Sequence, residues 1–247
     1  MIPKRKSLPR NDRVVTDVPA QGPTVAETAY RRIRNDIMAG ELKPGLPLRL
    51  QLLRQRYGFS FSPIREALNR LQTERLVASI ALRGFSVAPF SREEIVDTMD
   101  TRILIECEAL RRSIANGKQE WEEAIVATFH ALSWHAKSVV QAKHAPTSEL
   151  IEGLEIRHRN FHNALITACG SPRLLDFANQ LYAQSERYRR PSLLDGASGK
   201  PSRNVTAEHK NIMDATLNRD SKKACALLKD HYRRTAASID RFIENFG

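Results

Sequence analysis

The sequence predicts a mainly α-helical protein with two domains, an N-terminal winged helix-turn-helix followed by an all-α helical bundle. Apolar residues recur every three or four positions through most of the chain, and two short apolar runs flank a turn near residue 83. Residues 1–90 contain 16 lysines and arginines against seven acidic residues, whereas residues 91–247 contain 23 against 21. A cationic segment beside a nearly neutral remainder indicates a nucleic-acid-binding module joined to a second module. Charge added only for solubility would be spread along the chain.

The composition excludes several other classes of protein. With 247 residues and 41% hydrophobic residues, the chain is long enough to bury a core. It contains no run of about 18 apolar residues, and no apolar segment follows its basic start, so we expect neither a membrane span nor a signal peptide. The cysteines are Cys107, Cys169 and Cys225. Their odd number and wide spacing indicate reduced thiols in a cytoplasmic protein.

The first 90 residues divide into a tail and a small domain. Residues 1–23 combine five basic residues with four prolines and lack a hydrophobic period, which predicts a flexible basic tail. Such a tail is either an ordinary disordered terminus or an arm for the minor groove. Residues 24–90 are expected to form the winged helix-turn-helix. Its predicted elements are helices at 25–39, at 49–57 and from Ser62 with Pro63 in the first position, then strands at 76–80 and 85–88.

The beginning of the third helix is the segment best suited to read DNA. A helix in the major groove needs small polar or guanidinium groups at its N-terminus and an apolar face that anchors it to the domain. Ser60, Ser62 and Arg65 supply the first property, and Ile64, Ala67 and Leu68 supply the second. Pairing of Arg65 with Glu66 or Glu27 would instead make this an ordinary surface helix.

Residues 25–90 resemble the DNA-binding domain of the GntR superfamily of bacterial transcription regulators. The resemblance rests on the stretches GELKPGLPL, YGFS, SPIREAL, ERLV and RGFSV, in that order. Phe61 occupies a position where these proteins usually have an arginine that touches bases, so the operator sequence is not predicted. Arg54 and Arg75 replace a common alanine and a common glycine. The resemblance and the distribution of cations together give these candidate DNA contacts: Arg49, Gln51, Arg54, Ser60, Phe61, Ser62, Arg65, Arg70, Arg83 and Gly84.

Residues 91–247 are predicted to form the helical bundle, which we expect to bind an effector and to dimerise. Ser91 followed by Glu94 is a capping box, and an apolar face continues from Ile95 to Ile114. Further helices are expected at 119–143, 148–169, 171–190, 204–218 and 221–246.

Four histidines of this bundle lie on apolar helix faces. His158 and His162 are four residues apart on one helix, so both imidazoles point towards the core. His209 and His231 lie about ten residues either side of a break near Asn218, so antiparallel helices would bring them to a similar height. The four could therefore converge on one divalent ion. Each could instead be a core histidine bonded to a neighbour. His130, His135 and His144 lack such placement and are expected to be ordinary surface or packing residues.

Residues 91–242 resemble the FCD ligand-binding domain of the FadR branch of GntR regulators. The resemblance rests on Asp97, Arg102 and Glu106 and on the pairs Phe161-His162, Glu208-His209 and His231-Tyr232. Many members of that family bind a divalent metal through one aspartate and three histidines, and the position of the aspartate is His158 here. Four neutral imidazoles leave the double charge of the ion uncompensated and favour a transition metal, with zinc or nickel expected first. The resemblance also places Arg102 where an inward arginine binds the effector's carboxylate. An ion pair with Glu106 is the alternative.

Together these features predict a homodimeric DNA-binding regulator whose binding to double-stranded operator DNA responds to a small organic acid. The family resemblance favours a repressor, whereas the residues themselves do not fix the direction of regulation. A regulator that senses the metal alone is the second possibility. A metalloenzyme is the third, but the segment HRNFH at 158–162 lacks the carboxylate base that a hydrolytic HExxH site contains.

Overall fold

A computed structural model describes residues 22–80, 84–141, 147–195 and 203–246. Residues 1–21 of the predicted flexible tail and the wing residue Arg83 lie outside these ranges, as does His144. The described residues form nine α-helices, one 3-10 turn at Thr167–Cys169 and one two-stranded sheet. The elements are α1 (Val25–Met38), α2 (Leu50–Tyr57), α3 (Phe61–Thr73), β1 (Val77–Ile80), β2 (Gly84–Val87), α4 (Arg92–Asn116), α5 (Gln119–Val140), α6 (Ser148–Ile166), α7 (Pro172–Asp195), α8 (Val205–Leu217) and α9 (Ser221–Phe246).

Helices α1–α3 and the hairpin form the winged helix-turn-helix that the sequence predicts. The hydroxyl of Thr24 caps α1 by accepting a hydrogen bond from the Glu27 amide at 3.1 Å. Helix α2 ends at Gly58, whose φ of 75° is the left-handed conformation that glycine adopts without strain. The strands pair antiparallel, with Val77 opposite Val87. Buried residues of α1, α3 and the sheet, among them Ile33 and Leu68, form one hydrophobic core.

The start of α3 differs by one residue from the prediction. Ser60 is the N-cap with extended backbone, so Phe61 is the first helical residue and Pro63 is the third. Proline is tolerated there because the first turn of a helix has no intrahelical partner for its N–H groups. The one-residue shift moves Phe61 into the exposed first turn of the helix.

Helices α4–α9 form the predicted all-α bundle around a second core. Helix α4 is the central element and packs against α7, α9 and the 3-10 turn. Half of the predicted capping box is present: the Ser91 hydroxyl accepts a hydrogen bond from the Glu94 amide at 3.1 Å, but the Ser91 amide donates to the Tyr188 hydroxyl and the Glu94 carboxylate accepts from Arg187 and Tyr188. Within the described ranges, no helix combines the length and the apolar character that a membrane crossing requires. The predicted end of α7 at residue 190 is wrong, because the helix continues through Pro191 to Asp195.

The two domains are joined through α7. Its Glu186 carboxylate accepts a hydrogen bond from Arg34 of α1 at 2.9 Å. Its Arg187 donates to the backbone oxygens of Arg75 and Pro89 at 3.2 and 2.6 Å. Glu186 and Arg187 are 6% and 4% exposed, so these polar contacts lie in a closed interface.

Candidate nucleic-acid interface and metal centre

The predicted DNA contacts at the start of α3 are on the surface. Ser60, Phe61, Ser62 and Arg65 are exposed, while Ile64 behind them is fully buried. Within the described ranges, neither Ser60 nor another side chain caps the first amides of α3, which leaves these donors and the helix dipole facing outward. A helix end with free amides beside hydroxyl groups and a guanidinium is an anion-binding surface of the kind that binds a DNA backbone.

The remaining candidates differ in the partners that they have within the protein. The side chains of Arg49, Gln51 and Arg65 are exposed and make no ion pair or hydrogen bond with any residue of the described ranges. The guanidinium of Arg54 lies 5.3 Å from the centre of the Phe61 ring. Gly84 is exposed, with a φ of 88° at the start of β2. These residues remain predicted DNA contacts.

Arg70 is the predicted DNA contact with the strongest partners inside the protein. It lies in the last turn of α3, where it forms an ion pair with Glu27 of α1. Its guanidinium carbon is 3.7 Å from the centre of the Tyr30 ring. The ion pair and the cation–π contact tie α3 to α1, so a role for Arg70 in DNA binding requires it to exchange these partners.

The four histidines of the bundle converge, although they come from three helices. One nitrogen from each of His158, His162, His209 and His231 lies within 4.8 Å of all the others. The Nε2 atoms of His162 and His209 are 3.3 Å apart. An ion held tetrahedrally at about 2.05 Å from each nitrogen would separate the nitrogens by about 3.4 Å. The set therefore fits a tetrahedral transition metal after small movements of the rings.

The hydrogen bonds around the site orient three of the imidazoles. Nδ1 of His158 lies 2.9 Å from the Tyr182 hydroxyl, and Nδ1 of His162 lies 3.0 Å from the Tyr232 hydroxyl. Nδ1 of His231 lies 2.9 Å from the Glu208 carboxylate. An Nδ1–H that donates outward leaves the lone pair of Nε2 directed inward, which is the tautomer that a metal ligand needs.

Burial keeps these imidazoles neutral. Each is at most 8% exposed, and removal from water lowers the pKa of His158, His162 and His209 well below the ordinary value of 6.5. The same burial lowers the pKa of His231 to about 4. Neutral imidazoles bind metal ions without first releasing a proton, so the site is ready for a metal at neutral pH.

Carboxylates lie one layer outside the histidines, and each is matched by an arginine. Glu106 accepts a hydrogen bond from Tyr232 and forms an ion pair with Arg102. The other two carboxylate–arginine pairs around the histidines are Glu155 with Arg189 and Glu208 with Arg203. The surrounding layer is therefore close to neutral and does not cancel the charge of a divalent ion. The positive charge of a bound ion would attract an anionic ligand into this buried site.

The predicted effector contact, Arg102, lies inside this network. Its side chain is 1% exposed and donates to Glu106 Oε1 at 2.7 Å, to Ser185 Oγ at 2.9 Å and to the Tyr232 hydroxyl at 2.9 Å. The alternative ion pair with Glu106 is thus present. Contact of Arg102 with an organic acid stays a prediction, and it requires the guanidinium to exchange one of these partners for the ligand.

Sequence reasoning did not identify the residues of α6 and α7 that complete this layer. Tyr182, Ser185 and Arg189 share one face of α7, and Glu155 lies one turn before His158 on α6. The spacing of three and four residues was a usable signal for a shared face. It does not indicate that this face meets the histidines. Elsewhere in the bundle, Nε2 of His135 donates a hydrogen bond to the Leu150 backbone oxygen at 2.8 Å, as expected of a packing residue.

Two sequence families match the chain. The FCD domain matches residues 97–234, and the family of bacterial regulatory proteins called gntR matches residues 25–87. The chain is 37% identical to the HTH-type transcriptional regulator BphR of Paraburkholderia xenovorans, over 89% of this chain and 86% of that protein. It is 34% identical to the HTH-type transcriptional repressor GlaR of Escherichia coli, over 82% of this chain and 90% of that protein.

Solved structures share the fold. The Escherichia coli protein McbR/YncC superposes with a TM-score of 0.69 at 18% identity, covering 90% of this chain and 100% of that one. A GntR regulator from Rhodococcus superposes with a TM-score of 0.67 at 20% identity, covering 87% of this chain and 96% of that one. At these identities the likeness supports the arrangement of the elements.

Proposed function

The chain belongs to the gntR family of bacterial regulatory proteins and carries an FCD domain, and on that premise we propose how it is regulated. It is a DNA-binding transcription regulator and not an enzyme. We propose that it is a cytoplasmic homodimer that represses transcription. A small organic acid bound beside a divalent transition metal, zinc or nickel, releases it from its operator. In this proposal residues 24–90 bind DNA and residues 91–247 bind the effector and dimerise.

The exposed start of α3 supports the DNA-binding part of the proposal. Ser60, Ser62 and Arg65 are exposed at the start of α3, and Arg49 is exposed at the start of α2; neither arginine forms an ion pair within the described ranges. A two-fold dimer presents two such helices, so its operator should consist of two half-sites of inverted sequence separated by about one helical turn. The repressor function of GlaR supports the direction of regulation.

The convergence of four neutral imidazoles is the observation that carries the effector part. His158, His162, His209 and His231 would hold the metal, and a bound metal would supply a Lewis-acidic centre that could accept an organic anion by expanding its coordination beyond the four imidazoles. The surrounding carboxylates are already balanced by arginines, so an anionic ligand would compensate the charge of the ion. This arrangement favours a carboxylate over a neutral metabolite.

Helix α7 provides a physical connection between the two functions. One face contacts the site through Tyr182, whose hydroxyl bonds His158, and through Ser185, which bonds Arg102. The adjacent face holds the DNA-binding domain through Glu186 and Arg187. A ligand that displaces the site face of this helix also displaces the interface with α1. Regulation requires the ligand to have different affinities for the two arrangements.

Two measurements test the proposal. Fluorescence anisotropy should show that the protein prefers duplexes from its own upstream region to scrambled duplexes at fixed salt. Elemental analysis of protein purified without an affinity tag should find about one metal ion per chain. His162→Ala should lose the metal, and His130→Ala, which removes an exposed histidine, should retain it.

Ligand binding completes the test. Small organic acids should raise the melting temperature of metal-loaded wild type by mass action and should leave His162→Ala unchanged. Equal affinity for upstream and scrambled DNA would refute the regulator's specificity. Equal metal content in both histidine variants would refute the site. A change in DNA affinity caused by metal alone, with no response to any organic acid, would favour the alternative of a regulator that senses only the metal.

A further inference from the structure

In the proposed function the N-terminal end of α3 faces DNA. Phe61 is an exposed aromatic residue at that end. It is the first helical residue and its side chain is 44% exposed, whereas the apolar residues that follow it, Ile64 and Leu68, are fully buried. The hydrophobic core of the small domain does not include it. Single exposed apolar residues are common on protein surfaces, so it is the place of Phe61 at the start of the recognition helix, and not its exposure alone, that points to a contact with DNA.

The position of Phe61 restricts what it can contact. The first residues of a recognition helix meet base edges in the major groove. A phenyl ring has no hydrogen-bonding group, and the major-groove edges of guanine, adenine and cytosine present polar atoms that would lose water against it. The C5-methyl of thymine is the apolar group in this groove. The ring therefore matches a thymine and no other base.

We propose that Phe61 determines operator specificity by packing against the C5-methyl of a thymine in each half-site. The inference rests on the proposed function, because it requires α3 to enter the major groove of an operator. Arg54 of α2 supports the ring, with its guanidinium 5.3 Å from the ring centre. Arg54 makes no ion pair with the described residues, so its guanidinium can meet a phosphate while its face stays on the ring. Ser62 and Arg65 beside them would set the register on the duplex.

Uracil in place of thymine isolates this contact. Uracil pairs as thymine does and lacks only the methyl group. The tightest duplex selected by the protein from a random pool is synthesised with thymine and with uracil, and the dissociation constants are measured by fluorescence anisotropy. For wild type we expect uracil to weaken binding about fourfold for each thymine contacted, since burying one methyl contributes about 0.8 kcal/mol.

Substitutions of Phe61 show whether the effect of uracil on binding arises from the phenyl ring or from another property of the uracil duplex. Phe61→Ala should bind the two duplexes equally, and Phe61→Leu, which keeps an apolar contact, should retain part of the discrimination. Phe177→Ala is the matched control, because it removes a 50% exposed phenyl ring on α7, outside the DNA-binding domain. This control should discriminate as wild type does. Melting curves should show that all variants are folded.

The outcomes distinguish this inference from the proposed function. If wild type selects a specific sequence but uracil weakens its DNA binding by the same factor as it weakens that of Phe61→Ala, the thymine contact is refuted. The proposed function as a sequence-specific regulator is then unaffected. A selected half-site without thymine refutes it as well. If wild type selects no sequence at all, the proposed function is refuted, and the inference with it.

Discussion

Acidification should destabilise the metal-free protein through the four buried histidines. His231 is 3% exposed, and burial lowers its pKa to about 4, whereas in the unfolded chain the pKa is about 6.5. Between these values the unfolded chain binds a proton that the folded protein does not accept. The stability from neutral His231 is therefore fully present above about pH 6.5 and is lost as the pH falls towards 4.

The size of the effect follows from the two pKa values. One pKa unit corresponds to about 1.4 kcal/mol, so His231 alone lowers the free energy of unfolding by about 2 kcal/mol at pH 5 and by about 3 kcal/mol near pH 4. His158, His162 and His209 have pKa values lowered in the same direction and add to this loss. A typical domain is stable by about 5–15 kcal/mol, so the loss from His231 alone is a sizeable fraction of the stability of the metal-free protein at pH 5.

Urea unfolding in the presence of a chelator, at several values between pH 7.5 and pH 5, measures this loss. His231→Gln keeps an N–H for Glu208 but cannot take up a proton, so it should lose about 2 kcal/mol less than wild type over this interval. Against the opposing effect of burial, ion pairing lowers the pKa of Glu208 to about 2, so this carboxylate stays ionised between pH 7.5 and pH 5. His130→Gln changes an exposed histidine and should behave as wild type does.

Identical pH dependence of wild type and His231→Gln would refute this reasoning, as would a wild-type stability that is flat or rises on acidification. Zinc supplies an independent check. It should stabilise the protein at neutral pH and progressively less at pH 5, because protons and the metal compete for the same nitrogens.

Three further perturbations test other parts of the structure. Arg102→Met leaves a buried carboxylate unpaired and should lower the free energy of unfolding by about 3–5 kcal/mol; wild-type stability in urea would contradict this. Gly117→Ala places a Cβ 2.1 Å from the Trp121 ring and should cost about 1–3 kcal/mol with a shift in tryptophan fluorescence; an unchanged emission spectrum would contradict it. Arg34→Ala removes the ion pair with Glu186. It should reduce the effect of bound metal or organic acid on DNA affinity while metal affinity stays at the wild-type value, and an undiminished effect would show that this ion pair does not transmit the signal.

Local sequence patterns were sufficient to predict the winged helix-turn-helix. Helix periodicity, glycine at the end of α2 and a turn between two apolar runs are all determined by residues close together in the chain. The same patterns placed the histidines on apolar faces and put the break between α8 and α9 near Asn218. The ring centres of His209 and His231 are 4.6 Å apart, as expected for antiparallel helices on either side of that break.

Local signals failed where packing opposed them. Pro63 suggested a helix beginning at Ser62, but Ser60 has the extended backbone of an N-cap and moves the first helical residue to Phe61. Pro191 suggested the end of a helix, yet α7 continues past it to Asp195. The first difference places Phe61 in the first turn of α3, and the second extends the helix that joins the domains.

The sequence alone determined that this chain has a basic DNA-binding segment in its first 90 residues and an all-helical remainder with inward histidines, since charge and periodicity are properties of neighbouring residues. Only the tertiary structure decided what surrounds those histidines. Tyr182 and Arg189 reach the site from a helix separate from those of the histidines, and Arg102 meets Tyr232 across 130 positions of sequence. Periodicity reveals which face of a helix is buried, but the partner of that face is fixed only when all the helices pack together.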